Sequence, residues 1–254
     1  MLPDGNPLRV IVSGRGGRMS GQVIGILDTT PGVELAQIVG KDDPIDRLKT
    51  DVDVIIDFTA PEATVQYAAW CVEHGIPMVT GTTGLGDAER RVLADAGQHV
   101  AIVDAPNMSI GVNVLCDVLY RAVRALGPEY EVEITDIHHH HKKDAPSGTA
   151  KRLANVVADA RGHELNDVVT HGREGKSQGR SQDEIGIHAL RGGDVVGDHT
   201  VYLFGPGERI EFTHRASDRA IFARGAVRAA RWVAHQAPGL YSMADVVSGG
   251  KETP

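Results

Sequence analysis

Leu8-Arg9-Val10-Ile11-Val12-Ser13-Gly14-Arg15-Gly16-Gly17-Arg18-Met19-Ser20 is the segment whose reading decides the fold. Its first half is nearly unbroken apolar chain ending on a glycine, the pattern of a strand buried on both faces. Apolar residues then recur with helical spacing at Met19, Val23, Ile24, Ile26 and Leu27, and Pro31-Gly32 ends the run. Between strand and helix, the glycines would let backbone N–H groups face a pyrophosphate, and the helix N-terminus adds about half a positive charge. Met19 breaks the strict G-x-G-x-x-G spacing. The looser G-x-x-G-x-x-small form fits Gly14, Gly17 and Ser20, with strand before and helix after as a nucleotide site requires. A purely structural turn is the competing reading.

Outward from this segment, strands and helices alternate. Val33–Val39, Val54–Phe58, Pro77–Thr80 and Val100–Val103 read as strands, and Glu62–His74 (after Pro61 and before Gly75) and Ala88–Ala96 as helices. That βαβ rhythm implies a parallel sheet with right-handed crossovers. After Asn107 the rhythm changes. A helix over Val112–Leu126 leads to an alternating strand, Tyr130–Ile137, then a histidine run and a helix from Ser147 to about Ala160. The Gly- and charge-rich stretch 171–186 reads as a mobile loop, and Ile185–Leu190, Val195–Phe204 and Arg209–His214 as antiparallel strands. A last helix, Ala220–His235, is expected to return to the first sheet. The fold class is α/β: a Rossmann-like dinucleotide-binding domain with a parallel sheet (residues 1–109 and 218–254) plus a smaller α+β domain with a mixed, largely antiparallel sheet (110–217).

Composition narrows the function. Glycine supplies 30 of 254 residues, about 12% against a usual ~7%, which marks sharp turns and close approach to ligands. Aromatics at 4% argue against base-stacking platforms, and a net charge of −8 gives no global attraction to nucleic acid or anionic membrane. Cys71 and Cys116 lie in apolar helical patterns and read as buried small hydrophobes. The opening MLPDGNPLRVIVSG has no basic start before an apolar run, and no stretch approaches ~18 apolar residues. A cytoplasmic protein is expected.

An acidic residue at the tip of the second strand would hold an adenosine ribose. Here Val39 is followed by Gly40-Lys41-Asp42-Asp43. Lys41, with Arg18 as a second cation, could meet a 2′-phosphate, and Asp42 could still reach a ribose; a solvated loop is the plain alternative. NADPH use equal to or better than NADH use is the expectation. Gly81-Thr82-Thr83-Gly84 and Ala105-Pro106-Asn107-Met108-Ser109 lie at C-terminal strand ends, where an open α/β sheet binds its ligand. Their Thr and Asn side chains could offer neutral hydrogen bonds to a nicotinamide half.

The most informative segment is His138-His139-His140-His141-Lys142-Lys143-Asp144-Ala145-Pro146-Ser147-Gly148-Thr149. Adjacent histidines on extended chain point to opposite faces, so at most alternate members could converge on a metal, and no cysteine pair completes a set. No metal is expected. Four histidines beside two lysines make a poor solvated loop, because they repel one another when protonated. Pro146 and Ser147 are helix-start residues, and the exposed amides of Gly148-Thr149 with the Thr hydroxyl would form a carboxylate nest. Lys142 adds a cation, and a histidine can exchange a proton near neutral pH. Together with a hydride cofactor these groups specify reduction of a small dicarboxylate. A non-catalytic NAD(P) sensor would not need this string, and a metal-dependent hydrolase would use the histidines as ligands.

The chain resembles the 4-hydroxy-tetrahydrodipicolinate reductase (dihydrodipicolinate reductase) family of bacterial lysine and diaminopimelate synthesis. The resemblance rests on VSGRGGRMS, VIIDFTAPEAT, VTGTTG, the APN turn, IHHHHKKDAPSGTA, GERIEFTHRASDR and FARGAVRAA, and runs nearly end to end. It implies His138 as proton donor, Lys142 as the group stabilising developing charge, His139 as a substrate contact and Gly148-Thr149 as a carboxylate site. It further implies cofactor contacts from Gly14, Arg15, Gly16, Gly17, Arg18 and Met19, from Gly81, Thr82 and Thr83, and from Ala105, Pro106, Asn107 and Met108. A homotetramer using NADPH or NADH is implied as well. The sequence departs from the family at Gly40-Lys41, where many members carry Glu or Asp, and at Ser20, where glycine is usual.

Overall fold

The computed structural model describes residues 5–176 and 179–249. Contacts divide the chain into two compact units, one formed by residues up to Ile110 with those from Arg219 onward, the other by Gly111–Asp218. The first unit opens with β1 (Leu8–Ser13), α1 (Arg18–Leu27), β2 (Val33–Val39), β3 (Val54–Asp57), α2 (Pro61–His74), β4 (Met78–Thr80), α3 (Asp87–Ala96) and β5 (Ala101–Asp104). Pro61 at the start of α2 and left-handed Gly75 at its end give that helix the bounds the sequence suggests.

The second unit contains α4 (Ile110–Leu126), β6 (Glu131–His138), α5 (Gly148–Arg161), α6 (Leu165–Val168), β7 (Val169–His171), β8 (Ile185–Arg191), β9 (Gly197–Gly205) and β10 (Glu208–Ala216). Its sheet order is β10-β9-β6-β8-β7. On β6 every second residue is buried: Val132 and Ile134 join the core beneath α4 and α5, and Asp136 and His138 continue the same face. The mixed sheet matches the expected class, but β8 differs from the reading as an antiparallel strand. It runs parallel to β6 and β7, while β9 is antiparallel to β6 and β10. The cause is the connection between β8 and β9. It straps across the end of β6 through Gly192 N to His138 O (2.9 Å) and His139 N to Val195 O (2.7 Å), so β9 pairs on the far side.

Within the stretch expected as a mobile loop, residues 177–178 lie outside the described residues. Both flanks are tied to Glu133. Arg173 donates to it at 2.6 and 3.0 Å, Arg180 Nε at 3.0 Å, and His188 Nε2 lies 2.7 Å away. Burial favours the protonated acid, but these donors win and lower the Glu133 pKa to about 2.

The chain then completes the first unit with α7 (Ala220–Val233), β11 (Gly239–Tyr241) and α8 (Met243–Ser248). Its sheet, β11-β5-β4-β3-β1-β2, is parallel at every pairing. Val10, Val12, Val54 and Ile56 face a core closed by α1, α7 and α8, whereas Ile11, Ile55, Met78 and Ile102 face α2 and α3. Each such side chain contributes about 1.5–3 kcal/mol relative to exposure. Two covered faces explain the continuous apolar strands, and they leave the strand C-termini as the place where backbone turns can meet a ligand.

Candidate active site

Gly14 (φ +92°) and Gly16 (φ +80°) take left-handed conformations in the turn after β1. A Cβ on Gly14 would stand 2.6 Å from Ser20 Oγ and 3.0 Å from Phe58 O. Ser20 Oγ itself donates to Ser13 O at 3.0 Å, so a small residue is needed there. Gly17 caps α1 with no side-chain hydrogen bond and no acidic residue follows in the first turn, which leaves the helix start open to an anion.

Two cavities flank the turn and share Gly17, Phe58 and Thr59. One, about 420 Å³, is lined by Arg18, Met19, Gly81, Thr82, Thr83, Pro106, Asn107, Met108 and Phe222 as well. The other, about 690 Å³, takes Gly14, Arg15, Lys41, Asp43 and Tyr67 among its walls. Gly16 and Ala105 line neither, and Ala105 is buried. Lys41 lines its cavity with Arg15, whereas Arg18, expected as its second cation, lines the other cavity. Asp43, rather than Asp42, curls back. Its Oδ2 accepts from Gly40 N and pairs with Arg15, each at 2.8 Å, and the Gly40 bond, with Arg15, holds its pKa below the usual range against desolvation. Lys41 has no ion-pair partner among the described residues. Adjoining cavities on either side of an uncapped glycine turn suit the two halves of a dinucleotide.

Beneath the turn lies a residue that sequence reasoning passed over. Asp57, at the end of β3, is fully buried. Its Oδ1 accepts from Ser13 Oγ (2.8 Å) and Thr59 Oγ1 (2.6 Å), and its Oδ2 from Thr64 (2.6 Å), Thr80 (2.9 Å) and Thr82 (2.9 Å). Thr82 Oγ1 also accepts from Thr59 N at 3.0 Å. That hydroxyl is spent inside the protein and is not the ligand donor expected of it. Asn107 Oδ1 likewise accepts from Ser109 N at 2.9 Å. The signal for Asp57 was an acidic residue ending an apolar strand, with Thr and Ser at the ends of its neighbours.

The histidine string is built on β6. His138 is 8% exposed, its Nδ1 lies 2.9 Å from Asp136 Oδ1, and its ring meets His199 edge-on at 5.2 Å. Asp136 is fully buried, with Oδ2 accepting from Ser147 N (2.8 Å) and Arg191 Nη2 (3.2 Å). His199 Nε2 lies 3.1 Å from Ser147 Oγ, and that oxygen caps α5 by accepting from Ala150 N at 3.2 Å. One carboxylate therefore touches both the histidine and the residue before Gly148-Thr149. His139 is half-buried and His140 is exposed. Lys142 Nζ pairs with Asp144 Oδ1 at 2.9 Å, and Asp144 is largely exposed. Such a pair contributes about 0–1 kcal/mol and exchanges readily for another carboxylate.

The electrostatics follow from burial. Desolvation pushes the His138 pKa down to about 4; Asp136 opposes this, while His199, Lys142 and Arg191 reinforce it. With a pKa near 4, His138 is neutral at pH 7. Burial would raise the Asp136 pKa, but hydrogen bonds from His199 and Ser147, with His138 nearby, hold it well below the usual range. Asp136, His138 and His199 each bring one donor atom within 4.8 Å of the others. Arg191 and the Ser147 amide already occupy Asp136 Oδ2, while Oδ1 and His138 Nδ1 meet without a hydrogen bond. The signal for Asp136 was its place two residues before His138 on an alternating strand.

Two family models match the chain: dihydrodipicolinate reductase, N-terminus, over residues 8–108, and dihydrodipicolinate reductase, C-terminus, over residues 111–247. A 4-hydroxy-tetrahydrodipicolinate reductase from Nitratidesulfovibrio vulgaris is 47% identical over 254 residues, covering 93% of this chain and 98% of its own. One from Anaeromyxobacter dehalogenans is 43% identical over 268 residues, covering 96% and 99%. The solved structure of a dipicolinate-bound dihydrodipicolinate reductase from Paenisporosarcina shares the fold at a TM-score of 0.77 and 23% identity, over 93% of this chain and 97% of its own. Family models that meet at the junction of the two units, and relatives matched along almost their full lengths, leave one assignment: the chain belongs to the dihydrodipicolinate reductase family.

Proposed function

We propose that this protein reduces 4-hydroxy-tetrahydrodipicolinate to tetrahydrodipicolinate for lysine and diaminopimelate synthesis, as its relatives' name states. The observation that carries the chemistry is the buried His138 beside Lys142 and the Ser147-capped start of α5. Replacing a hydroxyl by hydrogen consumes one hydride and one proton and releases water. A reduced nicotinamide supplies the hydride when bound. The turn Gly14–Met19 and the open start of α1 would hold its pyrophosphate, with Gly81–Thr83 and Ala105–Met108 at the nicotinamide half. Lys41 would meet a 2′-phosphate, which favours NADPH at least as much as NADH.

In the Gly111–Asp218 unit, the amides of Gly148-Thr149 bind one substrate carboxylate and Lys142 leaves Asp144 for that anion. His139 contacts the substrate. The dianion opposes the desolvation that keeps His138 neutral, raising its pKa so that it takes a proton from solvent and passes it on. On this reading the unit with the parallel sheet binds the dinucleotide, and the other binds substrate and builds a homotetramer. The enzyme works in the cytoplasm and needs neither nucleic acid nor membrane. No helix among the described residues is long and apolar enough to cross a membrane.

The test is NADPH and NADH oxidation by the purified protein, with the cyclic condensation product of pyruvate and aspartate semialdehyde. Substrate-dependent oxidation is expected with both cofactors, NADPH at least equal. No oxidation above the enzyme-free rate overturns the proposal, and a strong NADH preference overturns the role of Lys41.

A further inference from the structure

We infer that Asp136 is a positioning residue that fixes which nitrogen of His138 carries the exchangeable proton, and that Gly197 keeps the space beside that nitrogen clear. The inference rests on the proposed role of His138 as proton donor. Asp136 Oδ1 stands 2.9 Å from Nδ1, and no other carboxylate pairs with His138 among the described residues. The two atoms meet at ion-pair distance without hydrogen-bond alignment, and the charge of the buried carboxylate favours a proton on Nδ1. Nε2 is then the nitrogen that gains and gives the working proton.

Geometry at the other edge of the ring agrees. A Cβ built on Gly197 would lie 2.9 Å from His138 Nε2 and 3.4 Å from Cδ2. Gly197 does not have a positive φ, so its backbone does not demand glycine. What the missing side chain provides is room at Nε2, where any methyl would crowd the proton's path.

Asp136 does a second job with its other oxygen. Oδ2 accepts from Ser147 N, the residue immediately before the proposed carboxylate nest, and from Arg191. The proton donor and the nest thus hang on one buried carboxylate, and both are set before substrate arrives. The charges that act most on His138 come from Asp136 on β6, Lys142 in the following loop, Arg191 on β8 and His199 on β9. Asp136 is the one anion among them, so its removal lowers the proton affinity of His138 without an opposing change.

The Asp136→Asn variant should lose about 10- to 100-fold in kcat, within the usual worth of a positioned acid–base group, with KM for NADPH within about twofold. The alkaline limb of its kcat–pH profile should move to lower pH. A kcat within twofold of wild type, or an unmoved limb, overturns the inference. Gly197→Ala should lower kcat with cofactor KM kept. Should Asp136→Asn fail to fold, nitrogen-15 NMR of histidine-labelled wild-type protein still decides: neutral His138 protonated on Nδ1 is expected, and protonation on Nε2 overturns it. If wild type is inactive toward the substrate, the proposed function fails. If it is active and His138 is the other tautomer, the positioning role alone fails.

Discussion

Hydroxyls from five residues converge on Asp57, and none of its hydrogen-bond partners is a cation. Exchanging the carboxylate for an amide removes the charge and turns one acceptor into a donor that meets hydroxyl donors. Asp57→Asn should therefore cost about 1.5–3 kcal/mol, the worth of hydrogen bonds to a charged group, read as a lower urea midpoint at constant m. The turns at Ser13 and Thr82 should loosen with it, raising KM for the cofactor; unchanged stability would contradict the hub. His138 makes a prediction of different kind. Folded, its pKa lies near 4 against an ordinary 6.5. Between those values the unfolded chain binds more protons, so stability falls as pH falls through that window. Asp136, held below its usual range, adds its own loss at lower pH still. His138→Gln should flatten the dependence of Tm on pH between 6.5 and 4, and cut kcat by ~10² to 10⁴. Activity within threefold of wild type would remove His138 from the mechanism.

At the scale of elements, what could be read from sequence was what periodicity encodes. The buried β1, the helical spacing of α1 and the alternation of β6 lie where the pattern put them, because each element's burial follows its own side chains. The three-residue β7 and β11 and the short α6 and α8 are too brief to show a period. The direction of β8 depends on backbone bonds between 192–195 and 138–139, which no side-chain pattern records. The same divide runs through the site. His138, Lys142 and Gly148 stand out as residue types in one string, whereas Asp57 acquires its partners only when β1, β3 and β4 pair, and Asp136 and His199 meet only when β6 and β9 pair. Ser147 belongs to both classes, since it caps α5 and touches His199. Ser147→Ala should cost about 1 kcal/mol for the lost cap, lowering Tm by about 2–4 °C for a chain of this size. A Tm within half of that range's lower bound would show that the cap is dispensable.

Across the whole molecule, a net charge of −8 opposes binding of an anionic cofactor. On the proposed reading, affinity comes from local groups: the uncapped start of α1, and Lys41, which no ion pair neutralises among the described residues. Arg15 adds less, since Asp43 balances it. Because the two units have separate cores, a ligand held by one stabilises that one directly. At about 100 times its Kd, NADPH should add ~2.7 kcal/mol to the unit that binds it. Hydrogen exchange should slow in residues up to 110 and from 219 onward, most of all in the turn 14–19 and the start of α1. Lys41→Ala separates charge from shape. If Lys41 meets the 2′-phosphate, the variant should lose about tenfold or more in NADPH affinity, one strong charge-assisted contact, while NADH binding stays within twofold. Equal losses for both cofactors would mean that Lys41 supports the cavity wall rather than the phosphate, and the acidic Asp43 beside it would then be the ribose contact to test next.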